Sequence, residues 1–351
     1  MMRTSPTRLS RSPCPRRRAG RCSRGVRMRF RRPQWASRRQ RLGSLEFESA
    51  RVPTPGTDRT WRVTAASVPG TSHVDSGRGC DDAFAYMVAP DGHGVVIAVA
   101  DGAGSRSGTS ALGSFAACRA VVAEASALLV AAGSEASAEP VLRRCFATAR
   151  AAVESYAGQH GLQVRDLATT LAVAVLTPES SVVAQVGDGI VVCEVDAQAE
   201  SLVPEEKGEY ANETVFLTAS DALEEHLRVR FLEKPIARFA LSTDGLRYKI
   251  LRLQDGGVPF DPFFDAIWQA VAEGSLSPAA LSEWLAALDD QTGDDKTLVA
   301  GTLVDGPFAD STLPAALASP VPPVPPSSSV APLPPAPPLH AMPAPASESA
   351  P

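Results

Sequence analysis

Aspartates recur in this chain where predicted buried strands end. Asp101 follows the apolar run 95–100, and Asp244 closely follows the apolar stretch 236–242. Each is followed by a glycine, which lets the backbone approach an ion closely. A strand end is a rigid support from which a short carboxylate can project. Because carboxylate oxygens are preferred ligands of Mg²⁺ and Mn²⁺, this pattern predicts a site for hard cations.

Further acidic residues share this placement at strand ends or in the turns beside them. They are Asp81, Asp82, Asp294 and Asp295. A single Asp-Gly step indicates only a turn, since it is a common turn dipeptide. The order and spacing of the whole set indicate that its members share one site.

The elements that would position these residues alternate between strand-like and helix-like patterns. Apolar residues at helical spacing predict helices at about 108–131, 139–160, 261–273 and 278–288. Short apolar runs predict strands at 95–100, 170–176, 181–186, 190–195, 236–242 and 297–303. We interpret 178–180 and 187–189 as tight hairpin turns. Because strand pairs and helix pairs arrive separately, the order predicts an α+β fold with antiparallel sheets.

The two ends of the chain differ in composition from its middle. Every charged residue between Met1 and Gly43 is an arginine, fifteen in all, and proline, alanine and serine dominate after Gly306. Neither composition buries enough apolar surface to offset the entropy of ordering. We therefore predict a disordered Arg-rich tail over 1–55 and a disordered Pro/Ala/Ser-rich tail over 306–351. The Arg-rich tail alone suggests nucleic-acid binding, and a solvated tail is the simpler interpretation.

Several features predict a cytoplasmic protein without a membrane span. The arginines are not followed by the apolar core of a signal peptide. The longest apolar stretch, around 123–132, is interrupted by Glu124 and Ser126 and is too short to cross a bilayer. The six cysteines are scattered and no His-x-x-x-His pair occurs, which argues against a disulfide framework and a zinc hydrolase.

Read in order, six motifs resemble those of the metal-dependent protein phosphatases of the 2C type. They are 80–84, 101–104, 168–171, 187–189, 244–246 and 294–298. His73 and the stretch 208–214 make the chain more similar to a bacterial branch of that family. The resemblance covers nearly all of 61–304 and predicts a phosphatase domain over 56–305. With the element order, it implies an antiparallel β-sandwich flanked by pairs of antiparallel helices, in four αββα layers.

The resemblance also implies which residues hold two Mn²⁺ or Mg²⁺ ions. Asp101 would bridge the ions, and the carbonyl oxygen of Gly102 would bind one of them. Asp244 and Asp294 would complete the protein ligands of the first ion.

Three more aspartates receive roles from the same resemblance. Asp81 stands where the family usually has Glu or Gln, and would bind the second ion directly or through water. Asp82 would orient a metal-bound water. Asp188 matches the ligand of a third, weaker ion.

The residues that would contact the substrate are less sharply defined. The arginine that holds phosphate in better-known members falls at Gly77, which leaves Arg78 and Arg106 as candidates. Either is equally well interpreted as a solvated loop arginine. His73 is a candidate general acid for the leaving alkoxide, with a hydrogen-bonded structural role as the alternative.

The implied function is a protein serine/threonine phosphatase that hydrolyses phosphomonoesters by attack of a metal-bridging water or hydroxide. The expected substrates are phosphorylated proteins, from a bacterial serine/threonine kinase pathway. The alternative is a catalytically weak or inactive phosphatase-like module that binds a phosphoprotein and regulates. An aspartyl-phosphate hydrolase would need an acid two residues after Asp101, and Ala103 stands there.

Overall fold

Two five-stranded antiparallel sheets form the centre of the fold. The computed structural model describes residues 59–103, 109–129, 135–203, 214–289 and 292–306. Apart from Gly306, both predicted tails lie outside these ranges, so their disorder stays a prediction. Arg106 and all of 208–214 except Thr214 lie outside them as well.

The strands of the described ranges fall into two large sheets and one small hairpin. Their bounds are β1 (Arg59–Val68), β2 (Ala83–Val88), β3 (Val95–Ala100), β4 (Leu171–Leu176), β5 (Ser181–Val186), β6 (Ile190–Val195), β7 (Gln198–Ser201), β8 (Arg228–Leu232), β9 (Arg238–Ser242), β10 (Leu251–Arg252), β11 (Val258–Pro259) and β12 (Lys296–Asp305). The first sheet has the order β1-β12-β9-β6-β7, the second has the order β2-β3-β4-β5-β8, and β10 pairs with β11.

Four of the described α-helices are long and come in two sequential pairs, and the other three have only four or five residues each. Their bounds are α1 (Thr71–Asp75), α2 (Ser110–Ala125), α3 (Glu135–His160), α4 (Ala222–Glu225), α5 (Arg247–Ile250), α6 (Asp261–Glu273) and α7 (Pro278–Ala287). Proline lies in the first turn of α6 and of α7, where its missing N–H costs no helical hydrogen bond. The Ser277 hydroxyl caps α7 by accepting from the Ala280 amide at 3.2 Å.

Strand β3 explains how the layers are held together. All six of its residues are buried. Val96, Ala98 and Ala100 face a core shared with α2 and α3, whereas Ile97 and its alternate neighbours face a core between the two sheets. A third core packs the first sheet against α6 and α7. The α+β prediction of a sandwich between pairs of helices is therefore confirmed.

One helical stretch is long and apolar enough to cross a membrane by length and composition. It covers Ser110–Leu129, which includes α2. This stretch was not predicted from the sequence, where the longest apolar run lies around 123–132. In the structure, Ala117, Cys118 and Val121 of this stretch are buried in the core beside the second sheet. Such packing is typical of a core helix, and the absence of a membrane span stays a prediction.

The interpretation of 187–189 as a hairpin turn is wrong. Strands β5 and β6 flank it, and they belong to different sheets. The segment therefore carries the chain from one sheet to the other. The turn at 178–180 is a hairpin as predicted, since β4 pairs with β5 and the Thr177 amide donates to the Ser180 carbonyl at 2.9 Å.

Replacing glycine by alanine should have opposite effects on stability at two helical positions. A Cβ at Gly113 in α2 would lie 2.1 Å from the Leu167 carbonyl oxygen, whereas one at Gly158 in α3 would meet nothing within 4 Å. We expect Gly113→Ala to lower the free energy of unfolding by about 1–3 kcal/mol through overpacking. Gly158→Ala should raise it by about 0.5–1 kcal/mol because alanine favours helix. Urea denaturation measures both, and equal signs for the two variants would contradict this packing.

Candidate metal-binding site

Three aspartates that are distant in sequence converge at one end of the sandwich. Asp101, Asp244 and Asp294 each place a carboxylate oxygen within 4.8 Å of the others. Asp101 directly follows β3 of the second sheet, while the other two flank the ends of β9 and β12 in the first sheet. The cluster therefore forms where the two sheets meet, as the placement at strand ends predicted.

The electrostatics of this cluster favour a bound cation. Burial, and then the charges of nearby aspartates, raise the pKa of Asp101 well above its usual range. The same causes, burial first, raise the pKa of Asp244 to about 7 and also raise that of Asp294. Asp244 Oδ1 is buried and has no hydrogen-bond partner among the described residues. A set of crowded, oxygen-only donors with an orphaned atom fits a divalent hard cation.

Two neighbouring threonines hold the turn that carries Asp101. The Asp101 amide donates to Thr170 Oγ1 at 3.0 Å, and the Asp101 carbonyl accepts from Thr169 Oγ1 at 2.9 Å and from the Thr170 amide at 2.8 Å. Both threonines are buried. At the next residue, a Cβ on Gly102 would lie 2.5 Å from the Asp81 carbonyl oxygen. Glycine is therefore needed there for two backbone segments of the site to meet.

Asp82 is fixed by hydroxyl groups from the opposite sheet. Its Oδ2 accepts from Thr243 Oγ1 and from Thr297 Oγ1, each at 2.7 Å. Burial raises the pKa of Asp82, while the hydrogen bond from Thr243 acts in the opposite direction. Thr243 directly precedes Asp244. Neither threonine was assigned a role from the sequence, although both lie beside or within the quoted motifs.

Asp295 ties three segments together beneath the cluster. Its Oδ1 accepts from the Gly70 amide at 2.8 Å and lies 2.8 Å from His73 Nδ1, while its Oδ2 accepts from the Asp81 amide at 2.5 Å. The residue is 2% exposed. No role was predicted for Asp295, and the only signal was its place next to Asp294. His73 is thus held against a buried carboxylate, and its part as a general acid stays a prediction.

Asp81 and Arg78 contact one another. Arg78 Nη2 donates to Asp81 Oδ2, and the two side chains are 24% and 4% exposed. Asp81 does not belong to the cluster of three carboxylates defined above. Asp81, predicted to bind a metal ion, and Arg78, a candidate for binding phosphate, are therefore paired with each other. Arg106, the second candidate for phosphate, lies outside the described residues.

Asp188 approaches the cluster from the segment that crosses between the sheets. Its charge contributes to the raised pKa values of Asp101, Asp244 and Asp294. Its Oδ2 accepts from Thr214 Oγ1 at 2.8 Å. The crossover thus brings a fourth carboxylate near the cluster.

Among solved structures, several bacterial phosphatases are similar to this chain. The catalytic domain of the serine/threonine protein phosphatase PstP in complex with two manganese ions is 18% identical, with 70% of this chain and 100% of that chain covered and a TM-score of 0.46. The serine/threonine phosphatase Stp1 from Staphylococcus aureus is 17% identical, with 69% and 95% covered and a TM-score of 0.42.

Sequence matches are more specific. Serine/threonine-protein phosphatase 3 of Escherichia coli (strain K12) is 32% identical over 249 residues, which covers 68% of this chain and 97% of that protein. The family model described as protein phosphatase 2C matches residues 69–286, more than half of the chain. The matched region contains Asp81, Asp101 and Asp244. On these grounds, the chain belongs to the protein phosphatase 2C family.

Proposed function

We propose that the protein is a metal-dependent serine/threonine protein phosphatase that hydrolyses phosphomonoesters. The observation that carries this proposal is the convergence of Asp101, Asp244 and Asp294 within 4.8 Å. Family membership supports the reaction class. The relative in Escherichia coli, a serine/threonine-protein phosphatase, supports phosphorylated proteins as the substrates.

The donor set would hold two Mn²⁺ or Mg²⁺ ions, and a third, weaker one beside Asp188. Asp101, Asp244 and Asp294 would hold the first ion. Asp101 with the Gly102 carbonyl and Asp81 would hold the second. Asp188 would contribute to the third. When bound, such ions activate water and neutralise charge on the phosphoryl group.

The protein's own groups orient the reactants. Asp82, whose Oδ2 is fixed by two threonine hydroxyls, orients the attacking water. His73 donates a proton to the leaving serine or threonine oxygen, and its contact with Asp295 sets the orientation of its ring. Arg78 and Arg106 are the cationic groups assigned to the substrate phosphate.

The domain that performs this reaction spans 56–305. Strands β1 and β12 pair along their whole length, with Arg59 opposite Asp305. This pairing supports boundaries at the outer ends of the two strands. We further place the protein in the cytoplasm, acting on phosphoproteins of a bacterial serine/threonine kinase pathway.

Asp244→Asn tests the metal cluster. Removing one of three carboxylates should lower Mn²⁺-dependent hydrolysis of a phosphothreonine peptide by about a hundredfold or more. Mn²⁺ should raise the melting temperature of the wild type, because an ion that binds only the folded state stabilises it. The variant should lose this shift while remaining as stable as the wild type in EDTA, since like charges have been reduced.

Asp221→Asn is the matched control for that variant. Asp221 lies in a cluster with the exposed Glu225 and the half-buried His226, which is another set of possible metal ligands in a different place. The control should retain both hydrolysis and the thermal shift. Wild-type protein that binds Mn²⁺ but hydrolyses no phosphopeptide would favour the phosphoprotein-binding module over the enzyme.

Thr243→Val tests the orientation of Asp82. Valine has nearly the same shape and removes one of the two hydroxyls that bind Oδ2. We expect kcat to fall about 10–100-fold with little change in KM or Mn²⁺ affinity, as for other groups that orient reacting residues. Thr243→Ser, which keeps a hydroxyl, should restore most of kcat. Equal losses in the two variants, measured by steady-state kinetics, would contradict the orienting role.

A further inference from the structure

We propose that Arg78 and the second divalent cation bind Asp81 in alternation. In this proposal the cation displaces the guanidinium group from the carboxylate, and the released Arg78 becomes available to the oxygens of a phosphate monoester. The inference rests on the proposed function and adds to it a coupling between metal binding and substrate binding. It follows from the contacts of Asp81, from the setting of Arg78 and from the charge of the two competing partners.

The carboxylate of Asp81 is buried and already paired. This side chain is 4% exposed and its Oδ2 accepts from Arg78 Nη2. A buried carboxylate needs a positive partner, because an isolated charge in the interior is strongly unfavourable. Among the described residues, Arg78 is the ion-pair partner of Asp81. The guanidinium therefore takes the place that a cation would otherwise fill.

The backbone of Asp81 is fixed on both sides. Its amide donates to Asp295 Oδ2 at 2.5 Å, and its carbonyl accepts from Ser114 Oγ at 2.6 Å. The same carbonyl packs against Gly102, where an added Cβ would lie 2.5 Å away. The backbone of Asp81 consequently stays beside Gly102 whichever partner its carboxylate has. An exchange of partners has to come from movement of Arg78.

The Arg78 amide donates to the His73 carbonyl at 2.8 Å, so the movement required is that of the Arg78 side chain. Arg78 lies between Gly77, whose φ is +69°, and Gly79, and a Cβ on either glycine would meet nothing within 4 Å. Its side chain is 24% exposed. Its Nε is buried without a hydrogen-bond partner among the described residues. If the Arg78 side chain left Asp81, its unsatisfied Nε would gain contact with water. This gain would offset part of the free energy lost with the ion pair.

The two partners exclude each other by charge. Arginine stays protonated in proteins, so it does not give up its positive charge when a cation arrives. Two cations at one buried carboxylate oxygen repel each other strongly where water is scarce. A freed guanidinium binds phosphate through paired N–H donors, which makes phosphate its natural next partner. Metal and phosphate should therefore favour each other's binding, and this coupling is reciprocal.

Calorimetric titration of the full chain with Mn²⁺ tests the exchange. Arg78→Met removes the charge with a similar side-chain length. We expect it to tighten the binding of the second ion about tenfold, because the competitor is gone, and to leave the first ion's affinity unchanged. Arg78→Lys, which keeps the charge, should bind the second ion much as the wild type does. Asp81→Asn should lose the second binding event.

Titration with inorganic phosphate provides the second arm. Wild-type protein should bind phosphate more tightly at Mn²⁺ concentrations that fill the second site than at those that fill only the first. Arg78→Met should lose most of this gain. An unchanged second-ion affinity in Arg78→Met would overturn the exchange while leaving the proposed phosphatase intact. Protein that binds no Mn²⁺ at all would overturn the proposed function together with it.

Discussion

Mutual repulsion between half-buried carboxylates is the constraint on which the site depends. Asp101, Asp244 and Asp294 are held within 4.8 Å of one another, and the charges of neighbouring aspartates are among the causes that raise their pKa values. Such crowding persists only if packing elsewhere opposes it. The three hydrophobic cores, one between the sheets and one beneath each helical layer, provide this opposing stabilisation. The folded domain therefore contains an unfavourable repulsion between carboxylates, which a bound divalent cation would relieve.

Hydrogen bonds between the two sheets hold the acidic residues of the site in a defined arrangement. Asp82 stands at the start of the second sheet and is bound by Thr243 and Thr297 of the first. Asp295 links the segment before β12 to Gly70 and to the amide of Asp81. These buried contacts are polar and directional, so they fix the sheets in a way that apolar packing alone does not. The hydrogen bonds that align the two sheets are consequently also those that fix the positions of these carboxylates.

Local sequence patterns predicted much of the fold and all three members of the cluster. Apolar runs located β3, β5 and β6, and the Asp-Gly steps after strands located Asp101 and Asp244. The sheet to which a strand belongs is a non-local property, which is why the crossover at 187–189 was interpreted as a hairpin. Strand β8 was missed because its residues are mostly half-buried and include two arginines. The pairing of Arg78 with Asp81 depends on side-chain directions in a loop, which no spacing rule supplies.

The position of β12 has a consequence for how the molecule is made. This strand is the last in the described chain, yet it lies between β1 and β9 inside the first sheet. During translation, β12 therefore emerges after both of its neighbours in the sheet, β1 and β9. The first sheet stays incomplete until translation has passed Asp305. Because Asp294 arrives with that strand, the nascent chain lacks one carboxylate of the cluster throughout most of its synthesis. The complete set of three carboxylates is therefore available to a cation only when the domain is whole.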